Sequence, residues 1–124
     1  MSVIVRDDGF HADDYAGANA LDIAQDTSPD ALPAAFDGVD LIRVAFPSSA
    51  DGRGFTLARH LRARGYSGRL RAKGHVLADQ FTMARRCGFD EVEISDDLAA
   101  RQPQDQWIFR ADWADHDYRS RLKA

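Results

Sequence analysis

The chain has 124 residues, 44% of them hydrophobic and 29% charged, with a formal net charge of −4, which suits one soluble domain over residues 1–124 and is too short for two ordinary ones. No apolar run approaches bilayer-spanning length, and Asp7 and Asp8 interrupt the segment where a signal peptide would stay apolar, so the expectation is a cytoplasmic protein with no membrane contact. A single cysteine, Cys87, excludes an internal disulfide, a paired-thiol redox centre and a cysteine-held iron–sulfur cluster.

In chain order, Val3-Ile4-Val5 predicts a short edge strand, ended by the turn Asp7-Asp8-Gly9. Leu21 to Ala24 predicts another short strand. Ser28-Pro29 is a helix start, serine as cap and proline at the first helical position, and that helix is expected to run to about Asp37, with Gly38 ending it. Leu41 to Phe46 reads as a buried strand, and a helix begins after Gly52 and Gly54 with Phe55, Ala58 and Leu61 on one stripe. Gly65 is placed for a left-handed cap. The cycle repeats with a strand at Arg69 to Lys73, a helix at Leu77 to Cys87 and a strand at Glu91 to Ile94. Ser95-Asp96-Asp97 caps a short helix that Pro103 stops, and residues 106–113, with both tryptophans, are expected as a last strand or as a segment packed over a sheet edge.

Strand and helix alternating in this way predict an α/β fold, a small open and mostly parallel sheet flanked by helices, with half of a β/α barrel as the alternative. Ligands of such sheets bind outside the carboxyl ends of the strands, here Ser48 to Gly54, Lys73 to Asp79 and Ser95 to Asp97.

Charge is unevenly spread. Residues 1–40 hold nine acids against one base, residues 51–87 nine bases against two acids, and residues 88–124 nine acids against five bases. The basic block is either neutralised by its acidic flanks in the fold, or solvated, or a docking face for an acidic partner or an anionic ligand. Arg59, Arg62, Arg64, Arg71 and Arg86 are its docking candidates. Overall acidity and the lack of a recognition motif argue against nucleic acid.

The turn Asp51-Gly52-Arg53-Gly54 lies between a strand and a helix N-terminus, where glycines, free N–H groups and the helix dipole favour an anion and Arg53 adds a bidentate donor. The simpler alternative is that Asp51 caps the helix and the glycines make the turn. The glycine spacing is neither a dinucleotide fingerprint nor a phosphate loop. Lys73 and His75 occupy the equivalent position after the next strand and are expected to face the same crevice as Arg53, with His75 able to move protons. Asp79 and Gln80 open the following helix. Cys87 reads as a small buried residue, His11, His60 and His116 have no metal-ligand spacing, and no nucleophile elbow or triad is visible, so no catalytic residue is assigned.

Asp51-Gly52-Arg53-Gly54-Phe55-Thr56-Leu57-Ala58-Arg59, then Leu70-Arg71-Ala72 with Gly74, Asp79-Gln80, and Arg86-Cys87-Gly88-Phe89-Asp90, resemble the bacterial domain of unknown function 934 family over about residues 40–94. Its motif positions here are Asp51, Gly52, Arg53, Gly54, Arg59, Arg71, Gly74, Asp79, Gln80, Arg86 and Asp90. The resemblance implies a role in assimilatory sulfite reduction, in a family described as a probable oxidoreductase. It supplies no mechanism, and the cofactor stays unassigned. With no thiol pair or cluster ligands in the chain, the expected role is an accessory that docks the sulfite reductase haemoprotein or its electron donor through the basic face, or a carrier of a bound flavin. The alternatives are a small oxyanion- or phosphate-binding enzyme or sensor with its site at the strand ends, and a scaffold that forms a homo-oligomer.

Overall fold

The computed structural model describes residues 2–15, 17, 19–33 and 35–111. Six strands form one open sheet: β1 (Ser2–Arg6), β2 (Gly9–His11), β3 (Ala20–Ile23), β4 (Leu41–Phe46), β5 (Arg69–Gly74) and β6 (Glu91–Ser95), in the order β2-β1-β6-β5-β4-β3. Four α-helices accompany them among the described residues: α1 (Arg53–Ala63), α2 (Phe81–Cys87), α3 (Asp96–Arg101) and α4 (Gln104–Ile108). β3 to β6 are parallel, while β1 runs antiparallel to both β6 and β2. The fold is α/β, and its sheet does not close into a barrel.

Two sequence expectations change and a third resolves to one of its two alternatives. β1 is not an edge strand: Gly9, at φ +125°, turns the chain into the three-residue β2, which takes the edge instead. Ser28 does cap a helical start, its hydroxyl accepting from Asp30 N, but only the 3₁₀ turn Pro29–Ala31 follows. Pro33 holds Leu32 extended at ψ 149°, and a helix cannot pass through it. Residues 104–108 are a helix, not a strand, and they pack by the edge strand β2, where the Gln104 side chain accepts from Phe10 N at 2.8 Å. Trp107 is buried with its ring 5.8 Å from that of Phe81. Trp113 lies outside the described residues.

Each crossover from β3 to β6 adds the next strand on the same side of the last. Right-handed connections of that kind all fall on one face of the sheet. That face is apolar: Ile42, Val44, Phe46, Leu70, Ala72, Val92 and Ile94 meet Phe55, Leu57, Leu61 and Phe81 in one core. Gly54 allows α1 to sit directly on β4, since a Cβ there would strike the Phe46 ring at 2.5 Å.

Alternation sends the other residues of the same strands to the opposite face, and these are charged. Asp22, Arg43, Arg71 and Glu91 stand side by side across β3, β4, β5 and β6, and Ala45, Lys73 and Glu93 form the next row. Arg71 is 0% exposed, with Nε 2.6 Å from Glu91, Nη1 2.9 Å from Glu93 and Nη2 3.3 Å from Asp13. Burial works against its charge, and the carboxylates outweigh that, holding its pKa above the ordinary value. Arg6 and Arg69 complete the cluster through Asp14 and Glu91.

Candidate functional site

Most of the candidate side chains carry structural duties. Asp51 accepts from the Arg53 backbone N–H at 3.0 Å and from the Arg53 guanidinium at 2.7 Å. The guanidinium and the N–H together hold the Asp51 carboxyl down at about 2. Arg53 thus spends its charge on its own turn, and Gly54 serves packing. Gln80 is a clasp: its Oε1 accepts from Leu77 N at 2.9 Å and its Nε2 donates to Ser49 O at 2.8 Å, joining the loop after β4 to the turn before α2. Asp79 is exposed and pairs with Arg110 at 3.1 Å.

The basic block is largely consumed in the same way. Arg62 donates to the carbonyls of Tyr66, Gly68 and Gly88 and to Asp90, tying the end of α1 to the end of α2. Arg64 donates to Pro29 O and Leu32 O. Arg85 reaches Asp7, and Arg71 lies under the sheet cluster. The acidic flanks therefore supply counter-charges to the block. Of the five docking candidates, Arg59 and Arg86 are exposed, and Arg59 Nε lies 3.3 Å from the buried Cys87 Sγ.

Lys73 and His75 are placed differently. They line a crevice of about 560 Å³ at the carboxyl ends of β3, β4 and β5, on the charged face that the helices leave uncovered. Gly74 shapes it. At φ +130° it bends the chain over the end of β4, so that His75 N donates to Phe46 O at 2.7 Å, and a Cβ there would collide with that oxygen. Lys73 is 52% exposed, its Nζ 3.9 Å from Glu93, and His75 is exposed with no side-chain hydrogen bond among the described residues.

Arg53 is not in this crevice; it borders a separate pocket beside Thr27, Ser28 and Thr56. Its expected place is taken by Arg43, clamped by Asp22 at 2.6 and 3.1 Å. Arg43 lowers the Asp22 pKa by direct hydrogen bonding, so the pair is ionised. Neither residue was singled out in the sequence. The available signal was a lone charge inside the apolar run Leu41 to Phe46, which period-2 alternation turns away from the core.

The crevice sets Lys73, His75 and the Arg43–Asp22 pair around an apolar floor, with no serine, threonine or cysteine among its lining residues. No cluster of three potential metal ligands occurs among the described residues. The model of the family described as a bacterial protein of unknown function, domain of unknown function 934, matches residues 20–120. The chain belongs to that family. No curated protein and no solved structure matches it. Membership covers β3 to α4, and so the whole crevice as well as the Asp51 turn.

Proposed function

We propose that this family member binds a small anion in the crevice between β3 and β5, and that this binding is its contribution to sulfite reduction, the role the sequence resemblance implies. One observation carries the anion: Lys73 and His75 line a cavity at the carboxyl ends of parallel strands, while most other cations among the described residues are occupied by carboxylates or carbonyls. Arg43 adds positive charge beside them, although Asp22 offsets it. Among the described residues Lys73 has no carboxylate nearer than Glu93 at 3.9 Å and His75 has no side-chain hydrogen bond, so both can donate to an anion held there. Docking of a redox partner through the basic face is the second reading. It has less support, since Arg62, Arg64 and Arg71 are engaged inside the fold, which leaves the exposed Arg59 to carry it.

Calorimetry with sulfite, sulfate, phosphate and nucleotides tests the anion site. Lys73→Ala should weaken binding by roughly tenfold or more, the value of one charge-assisted hydrogen bond. Absence of binding by any of these to the folded protein would remove the reading. The place in sulfur metabolism is tested separately, by growth of a deletion strain on sulfate, sulfite or sulfide. Rescue by sulfide alone supports a step at sulfite reduction; normal growth on all three refutes it.

A further inference from the structure

We infer that the occupant of the crevice is an organic anion with a flat apolar body and a single anionic group, not a bare inorganic oxyanion; this rests on the anion-binding reading above. The first argument is size. A water takes about 30 Å³ of liquid, and cavities that hold organic ligands span about 300–1,000 Å³. The crevice, at about 560 Å³, belongs to the second class and is far larger than a tetrahedral ion needs.

The second argument is the floor. β3 pairs with β4 as far as Ile23 and Val44, whereas β5 pairs with it through Phe46. The sheet is therefore stepped here, and the exposed step is made of Ala24, Ala45, Pro47 and Gly74. Two of these are alanines and one has no side chain, so the floor is low and apolar, with Ala45 and Gly74 in strands and Ala24 and Pro47 just past the strand ends. An ion at Lys73 and His75 would leave that apolar surface wet. A planar ring laid on it removes the surface from water.

The third argument is the charge pattern across the floor. Asp22 on β3 and Lys73 on β5 flank β4, two strands apart and two residues out of register, about 12 Å at the usual strand spacing and rise. Among the charged lining residues Lys73 and Arg43 stand against Asp22, an excess of one positive charge that Glu93, 3.9 Å from Lys73, partly offsets. The Lys73 and His75 side takes the anionic group. Asp22 repels a second one and accepts a hydrogen bond from a donor at the far end of the body. The class is thus an aromatic or heteroaromatic carboxylate, sulfonate or phosphate monoester with a ring N–H or O–H.

The test is a titration of the whole chain with inorganic phosphate, phenyl phosphate, 1-naphthyl phosphate and neutral 1-naphthol, read by calorimetry and by amide NMR shifts. The inference expects affinity to rise roughly tenfold with each ring laid on the floor. It expects shifts at Ala45, Gly74 and His75, and Ala45→Leu, which fills the floor, to cancel the gain. If phosphate and naphthyl phosphate bind equally and Lys73→Ala weakens both, the inference falls and the anion site stands. If naphthol binds as tightly as naphthyl phosphate, or if nothing binds, both fall. Should Ala45→Leu fail to fold, the NMR shifts of the unaltered protein decide: perturbation confined to residues away from the crevice overturns the inference.

Discussion

Replacing Arg71 by methionine separates a structural arginine from a docking one. The side chain is 0% exposed and serves Glu91, Glu93 and Asp13, of which Glu91 and Glu93 are themselves buried. Methionine fills much of the volume and removes the charge, so two carboxylates lose their buried partner. Stranding one side of a buried ion pair costs about 3–5 kcal/mol. Arg69 and Arg6 still reach Glu91, and Lys73 stands 3.9 Å from Glu93, which places the expected loss toward the lower end, about 3 kcal/mol. At roughly 3–4 °C per kcal/mol for a domain of this size, melting should fall by about 10 °C.

Urea denaturation at pH 7 measures the loss directly. Two controls identify its cause. Arg71→Met combined with Glu91→Gln and Glu93→Gln should recover part of the stability, because no buried charge is left unpaired and Arg6 and Arg69 keep Asp14. The loss should also persist at high salt, since a buried pair is poorly screened. A single Arg71→Met variant within about 0.5 kcal/mol of the parent, the range of ordinary surface changes, would refute the account of how the charged face is held.

Arg62→Met should cost about 2–4 kcal/mol, because the carbonyls of Gly88, Tyr66 and Gly68 lose charged donors together; thermal melting checks it, and an unchanged midpoint would mean that water replaces the guanidinium freely. Gly74→Ala should destabilise by at least about 1–3 kcal/mol, since φ +130° is strained for any side chain and the Phe46 carbonyl blocks the Cβ. The same variant should disturb the amide of His75 in NMR. Asp51→Ala tests the acid titration. The folded pKa of Asp51, about 2, lies below the unfolded value, so its stabilisation is whole above about pH 4 and is lost as pH falls toward 2. The gap in urea midpoint between parent and variant should therefore be constant from pH 7 to about pH 4 and close below it. A gap that widens on acidification would contradict the assignment.

The sequence was readable wherever a local rule sufficed. The strands β4, β5 and β6 and the helix α1 follow from apolar spacing, and Gly65 ends α1 at φ +99°, with Tyr66 N bonded to Leu61 O and Gly65 N to Arg62 O. The β-α order alone pointed to the strand ends as the place for a candidate site, and Lys73 and His75 line a crevice there. Where two local signals competed, the reading slipped. Ser28-Pro29 is a sound helix start, yet Pro33 stops it within a turn.

What the sequence by itself determined is the alternation of strand and helix, the capping of their ends and the excess of basic residues in the middle. Which of those residues are available was decided only by tertiary structure. A charge count cannot tell Arg62, bound to carbonyls from two helix ends, from Lys73, half exposed beside a cavity. The difference arises because all the crossovers fall on one face of the sheet. Strand alternation then sends Arg43, Arg71 and Lys73 to the other face, where cross-strand register gives Arg71 two buried carboxylates, Arg43 its aspartate and Lys73 the open end.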